Sequence, residues 1–146
     1  MKLEFSGSPE ISAVRERVWA RLMDPHFLAL SAPGVESVEV LDPTHFKVIS
    51  GFGAGSFKVR FTMDVELFDM VPGRSARMRM DTQAPGSTVG VLSNIAIHEA
   101  GPNTVRLDWS ATSEITGSVA GLGARLMEGA ARRLTEQFWA DFARRV

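Results

Sequence analysis

The chain closes on a stretch, GSVAGLGARLMEGAARRLTEQFWADFARRV from Gly117 to Val146, that contains no proline and reads as one long amphipathic helix. At about 100° per residue, Val119, Leu122, Gly123, Leu126, Met127, Ala130, Leu134 and Phe138 collect on one broad face, with Ala131 and Phe142 at its edge. Arg125, Glu128, Arg132 and Glu136 fall on the other side. Roughly 28 residues at about 1.5 Å each reach about 40 Å, the span of a small domain. An apolar face of that length needs an equally long apolar surface against it. The first half of the helix is weak on its own terms. Gly117, Gly121, Gly123 and Gly129 each cost about 1 kcal/mol relative to alanine in a helix interior. Either something approaches the backbone closely there, or Gly117 to Gly123 is a loop and the helix starts later.

The surface that covers this helix is legible upstream. Phe57, Val59, Phe61, Met63, Val65 and Leu67 alternate with Lys58, Arg60, Thr62, Asp64 and Glu66. Strict period two means one buried and one wet face, hence antiparallel pairing. Val35–Leu41 and Phe46–Phe52, joined at Asp42-Pro43, predict a hairpin before it, with GFGAG (Gly51 to Gly55) as the next turn. Pro72-Gly73, Pro85-Gly86 and Gly101-Pro102-Asn103 punctuate three further strands, which carry Ala76, Met78 and Met80, then Val89 to Ile97, then Val105 to Ile115. Leu3, Phe5 and Ile11 give a first strand, bent at Gly7 and Pro9. Ser12 is positioned to cap a short helix from about Ala13 to Met23, which Trp19 locks onto the core. Asp24-Pro25 starts a second short helix that ends near Leu30. The order is one strand, two helices, six strands and a long helix. That pattern predicts a single α+β domain over residues 1–146: a curved seven-stranded antiparallel sheet wrapped around the C-terminal helix.

A curved sheet cannot touch a straight helix along its whole length, so space remains unless large side chains fill it. The inward positions are rich in Phe and Met, and methionine suits a surface that repacks around a guest; it also serves simply to fill irregular cores. The expected cavity lies between Leu122, Leu126 and Met127 on the helix and Phe61, Met63, Met78, Met80 and Trp109 on the sheet. Ser50, Ser93 and Ser113 are the polar residues on the inward phase, and no charged residue shares it. Asp64, Glu66, Asp108 and Glu114 fall on the wet phase, with Lys58, Arg60, Arg77 and Arg79 as cross-strand partners. The sequence therefore presents no catalytic residue, since an acid or base would have to point inward with a pKa tuned by burial. Trp139 falls off the main helical face; it covers a sheet edge or the short helices, or else it is exposed apolar surface.

Other chemistries find no support. There is no cysteine, and His26, His45 and His98 lie in different elements without ligand spacing, so no metal site or cofactor is predicted. GFGAG lacks the helix-opening context of a dinucleotide site, and no G-x-S-x-G elbow is present. A net charge of -1 gives no reason to expect nucleic acid. The N-terminus lacks a signal-peptide core, and no apolar run approaches the length of a membrane span.

The element order resembles the helix-grip (START-like, or SRPBCC) superfamily. More narrowly, Phe5 to Val40 and Gly117 to Phe142 resemble the CoxG-type family associated with carbon monoxide dehydrogenase. Gly7, Val18, Trp19, Leu22, Asp24, Pro25, Pro33, Gly34, Gly117, Leu122, Gly123, Leu126 and Phe138 carry the likeness, which is looser in the middle strands. The resemblance implies a non-catalytic accessory protein that holds a lipid- or quinone-like molecule and partners a molybdenum hydroxylase. The missing signal-peptide core and membrane span make a cytoplasmic protein the expectation, and the resemblance adds peripheral contact with the inner face of the membrane. Some members of the family carry a tail ending in a membrane anchor; this sequence stops at Val146, so any membrane contact is expected to be reversible. The same superfamily includes polyketide cyclases and dehydratases, and a pure protein-binding adaptor with a filled core is a further alternative.

Overall fold

Side chains that alternate between a wet and a dry environment force the middle of the chain into long strands, and these set the architecture. The computed structural model describes residues 1–32, 34–54, 57–84 and 86–146, and their side chains except those of residues 52–54, 57–59, 84, 119, 122 and 124. Strands β1 (Lys2–Gly7) and β2 (Glu10–Ile11) precede helices α1 (Arg15–Leu22) and α2 (Pro25–Ser31). Strands β3 (Val35–Asp42), β4 (His45–Ala54), β5 (Phe57–Val71), β6 (Ser75–Ala84), β7 (Ser87–Gly101) and β8 (Thr104–Gly117) follow, then a 3₁₀ turn (Ser118–Leu122) and α3 (Ala124–Arg145). The sheet is antiparallel throughout, in the order β1-β8-β7-β6-β5-β4-β3, with β2 also paired to β8. The α+β helix-grip arrangement is the one predicted. The break at Gly7 to Pro9 splits the expected first strand into two pieces that both lie on β8, Leu3 opposite Ser113 and Ile11 opposite Val105.

Three local expectations change. Ser12 does not cap α1; the cap position is Val14, which offers no side-chain acceptor. The segment Gly51 to Ala54 is not a turn but continues β4, with Gly51 opposite Arg60. Glycine is tolerated there because its partner strand holds the ladder, and the β4–β5 connection falls on residues 55 and 56, outside the described residues. The C-terminal helix starts late. Gly117 and Gly123 both sit at φ +93°, a conformation open to glycine, and bracket the 3₁₀ turn. A Cβ at Gly117 would lie 2.1 Å from the Gly86 carbonyl oxygen, so the chain leaves β8 there through glycine alone. The α-helix proper has 22 residues, about 33 Å at 1.5 Å per residue. By contrast Asp24 caps α2 as expected, its Oδ1 accepting from the amides of His26 (3.1 Å) and Phe27 (3.3 Å).

The core divides in two. One cluster joins Ile11, Val18, Leu22, Ile97, Leu107 and Phe142; the other joins Ala29, Phe46, Val48, Val65 and Leu67, and Met23 packs against both. Helix α3 belongs to the first through its C-terminal half. Phe142 is fully buried and meets Phe27 edge-on at 5.4 Å. Arg145 stacks 4.4 Å over the Phe27 ring and donates to the Phe27 carbonyl (2.9 Å), the Ser31 hydroxyl and Asp141. Arg17 donates to the Val146 carbonyl at 2.7 Å. The N-terminal half is packed far less: Leu126 is 58% exposed and Leu134 41%. An ideal Cβ on Gly121, Gly123 or Gly129 would meet nothing within 4 Å. The apolar face drawn from the sequence is thus buried at Phe142 and half-buried at Phe138, but not along its length.

Charges take the outer face. Asp64 pairs with Lys47 (3.9 Å), Glu66 with Arg79 (3.4 Å), and Glu114 with the N-terminal amine (4.0 Å). Of the expected partners, Arg60 instead meets Glu36 (3.1 Å) and Arg77 meets Asp69 (3.4 Å), while the Lys58 side chain lies outside the described residues. Such exposed pairs contribute little to stability, about 0–1 kcal/mol each. Strand β3, at the end of the sheet order, shows register irregularities on β4 at both of its ends.

Candidate functional site

Period two along the strands places Phe61, Met63, Met78, Met80 and Trp109 on the same, inward side of the sheet, and the register fixes how they are spread. Phe61 lies opposite Ser50; Met63 between Val48 and Thr82; Met80 between Val65 and Val91; Met78 between Leu67 and Ser93; Trp109 between Gly7 and Ile95. These are successive cross-strand rows, so the five side chains cross the sheet diagonally, from the end near the start of α3 to the end near its C-terminus. All five are half-buried, unlike the fully buried residues of the two core clusters. On the helix Met127 is half-buried, Leu126 is exposed, and the Leu122 side chain lies outside the described residues.

The inward face is apolar with a few hydroxyls. Ser50, Ser87, Ser93 and Ser113 are buried there, and Ser93 donates to the Ser110 carbonyl at 3.1 Å. The Ser50 hydroxyl is buried without a hydrogen-bond partner among the described residues. An orphaned buried hydroxyl costs about 1–3 kcal/mol, so it marks a position where a polar atom of a guest would be stabilised. Period two could place Ser50 inward but could not say that its neighbours would leave it unpaired.

The perturbed ionisable groups all lie on the outer surface. Hydrogen bonds from Arg106 and then Ser8 hold Asp108 below the usual carboxylate range, and Asp108 in turn raises Arg106. Hydrogen bonds from His45 and from the Thr44 amide lower Asp42 to about 2. Among the described residues no group of three or more histidines and carboxylates could hold a metal ion. No described helix is long and apolar enough to cross a membrane.

Trp139 takes the first of the two places open to it. Its ring packs against Trp109 (centroids 6.3 Å apart), Phe138 (4.9 Å) and Phe142 (5.5 Å), at the β1 side of the sheet. Between β1 and α3 a cleft of about 610 Å³ opens, with both tryptophans in its wall. An angular count along one helix could not reveal this pairing, because it depends on where β8 delivers Trp109.

Solved structures share the fold. A conserved protein from Geobacillus kaustophilus matches with a TM-score of 0.90 at 24% identity, covering 98% of this chain and 94% of that one. A START superfamily protein from Mycobacterium smegmatis matches with a TM-score of 0.78 at 13% identity, covering 98% and 96%. The Zhui aromatase/cyclase from Streptomyces sp. R1128 matches with a TM-score of 0.71 at 15% identity, covering 98% and 92%. No curated protein matches. At these identities the likenesses establish the START-like helix-grip fold and nothing finer. The family model for CoxG, described as a carbon monoxide dehydrogenase subunit, matches residues 7–146, nearly the whole sequence, and the chain belongs to that family.

Proposed function

We propose that this protein is a non-catalytic carrier that holds a lipid- or quinone-like molecule between the inward face of the sheet and the first half of α3. Phe61, Met63, Met78, Met80 and Trp109 form the sheet wall, and Leu122, Leu126 and Met127 the helical wall. The observation that carries this reading is the mismatch between two surfaces. The sheet presents a diagonal of half-buried, deformable apolar side chains, while the first half of the helix is loosely packed, with Met127 only half-buried and Leu126 58% exposed. Burying about 300 Å² of a ring or isoprenoid chain at about 25 cal/mol per Å² contributes on the order of 7 kcal/mol before association costs. The Ser50 hydroxyl would meet a carbonyl or hydroxyl at the polar end of such a guest.

Family membership supports an accessory role beside a molybdenum hydroxylase of the carbon monoxide dehydrogenase type, in the cytoplasm or peripherally at the membrane. The likeness to an aromatase/cyclase raises the enzyme reading. That reading needs an inward acid or base, and the inward positions beside the proposed cavity hold serines, Thr82 and apolar residues. Mass spectrometry of molecules extracted from the purified protein, together with Met127→Trp, tests the carrier. The substitution should abolish the extractable ligand while leaving the melting temperature unchanged or higher. A loss of about 1–3 kcal/mol, as for an overpacked core, with no ligand extractable from the parent, would leave the adaptor reading instead.

A further inference from the structure

The cleft between β1 and α3 has a wall that no single face of a strand could make. Glu4, Phe5, Ser6 and Gly7 line it in succession, then Pro9 and Glu10. Successive residues point to opposite faces of a sheet, so what these share along the cleft is the edge of the strand. The hydrogen bonding says which backbone groups lie there. Met1 exchanges both bonds with Ile115, its amine donating at 2.8 Å and its carbonyl accepting at 2.8 Å. At the far end the Pro9 carbonyl accepts from the Leu107 amide at 2.9 Å. The register between is unbroken, from Lys2 opposite Glu114 to Gly7 opposite Trp109. Leu3, Phe5 and Gly7 therefore direct their amides and carbonyls at β8, while Glu4 and Ser6 turn theirs away from it, toward the cleft. β1 ends the sheet order, opposite β3, and the backbone groups of Glu4 and Ser6 have no partner among the described residues.

The opposite wall is helical, with Trp139, Ala140 and Ala143 along it. Between the two walls the cleft is aromatic. Phe5 shares the inward phase with Trp109, whose indole reaches across to Gly7, where a Cβ would stand 2.7 Å from Nε1. Trp139 packs on Trp109 with ring centroids 6.3 Å apart. Because Gly7 has no side chain, the indole is open to whatever lies beside it on the free edge. The Lys2, Glu4 and Ser6 side chains take the other phase, on the outer face of the sheet.

A row of unpaired amides and carbonyls recognises another extended backbone, and strand addition of this kind selects side chains at alternate positions. We propose that this edge is the docking site for an extended segment of a partner protein, which adds antiparallel to β1 and lowers alternate side chains into the cleft. What each position meets defines the segment. Opposite Gly7 an aromatic ring takes the place of the missing side chain and packs beside Trp109 and Trp139. Opposite Phe5 and Leu3 aliphatic residues continue the inward face, and a cleft of about 610 Å³ has room for them. On the outer face a cation opposite Glu4 and a carboxylate opposite Lys2 make favourable cross-strand pairs and fix direction and register. The docking site stands apart from the carrier reading; it needs no guest in the central cavity, although Trp109 borders both.

The probe is the acetylated, amidated peptide Phe-Thr-Leu-Lys-Val-Glu, whose Phe falls opposite Gly7 and whose Lys falls opposite Glu4. Calorimetry and tryptophan fluorescence on the full chain should show it binding below millimolar concentration. On binding, NMR should show hydrogen exchange at the Glu4 and Ser6 amides slowing, while the Leu3 and Phe5 amides, already bonded to β8, change little. N-methylation of the peptide's Thr and Lys amides, which face β1, should weaken binding about 10-fold or more, the loss of two net hydrogen bonds. Methylation of its Leu and Val amides, which face away, should not. Ser6→Pro removes a cleft-facing donor without touching the β8 ladder and should also weaken binding; thermal melts check that it folds, and the methylated peptides carry the test if it does not. Binding indifferent to which amides are methylated, unchanged exchange at Glu4 and Ser6, or no binding at millimolar peptide would overturn the proposal. So would sedimentation of the chain alone as a dimer that Ser6→Pro dissolves, which would assign the edge to a second copy. Met127→Trp should leave peptide binding intact, so failure of the carrier reading does not register in this measurement.

Discussion

Gly7 and Trp109 are register partners on β1 and β8, and the missing side chain of the first is the space occupied by the indole of the second. A methyl group at Gly7 would lie 2.7 Å from Nε1 and 3.1 Å from Cε2. The ring cannot retreat freely, because Trp139 packs on it. Gly7→Ala should therefore destabilise the protein by about 1–3 kcal/mol, as overpacking does, and shift the tryptophan emission. Chemical denaturation checks the first and fluorescence the second. An unchanged midpoint would mean that the indole does not lie on β1 in solution.

Helix α1 is held by the residues beside Trp19 more than by Trp19 itself. Val18 is fully buried and Leu22 is 2% exposed, whereas Trp19 is half-buried at the margin of the same cluster. Leu22→Ala should cost about 2–5 kcal/mol, and Trp19→Ala should fall below the roughly 3–5 kcal/mol usual for a fully buried tryptophan. Equilibrium urea denaturation ranks them; a larger loss for Trp19 would reverse this assignment.

Gly129 has helical neighbours on both sides and nothing within 4 Å of where a Cβ would stand. Gly129→Ala should then stabilise the ligand-free protein by about 0.5–1 kcal/mol, the helix-propensity difference. A decrease in stability would show that another surface already packs on that turn.

At the β3–β4 turn, Asp42 Oδ1 accepts from the Thr44 amide at 2.8 Å and lies 2.9 Å from His45 Nδ1. These contacts, His45 first, take its pKa from 3.8 to about 2. A folded-state value below the unfolded one means that the ionised carboxylate stabilises the fold. That contribution is complete above pH 3.8 and disappears as the pH falls through about 2. Carboxyl-carbon NMR should show Asp42 titrating near 2, and His45→Ala should raise it toward 3.8. A parent Asp42 already titrating at its ordinary value would contradict the turn geometry.

How far the sequence determined these features depends on the kind of periodicity involved. Strand residues face one of two sides, so Phe61 to Leu67 and Ala76 to Met80 could be assigned inward or outward from alternation alone, and the sheet half of the candidate site followed. A helix offers no such binary choice. The apolar stripe through Leu126 and Leu134 follows from angles alone, yet both are exposed. The side of α3 that packs runs through Phe138, Trp139 and Phe142, because packing decides which part of a broad face is buried. Glycine carries the other misreadings, because one residue type serves helix, strand and positive φ alike: Gly51 lies in a strand, while Gly117 and Gly123 end one element and start another. Val14 at the head of α1 could not be foreseen either, since Ser12 is the better cap and only the docking of β2 on β8 displaces it.

The irregular pairing of β3 bears on how these molecules tolerate one another at high concentration. A sheet whose last strand were straight would offer unpaired amides and carbonyls to any passing chain. Here the ladder on β4 shifts between Val35 and Ser37 and again between Val40 and Asp42, leaving only a few residues in regular register between. Glu39 sits on that stretch, and Glu36, paired with Arg60, stands at the first shift, so a second copy would have to bring carboxylates together across a short seam. The apolar side chains that β3 does expose, Val40 and Leu41, lie beside the second shift, where no continuous ladder could extend. This margin of the sheet is thus a poor template for polymerisation.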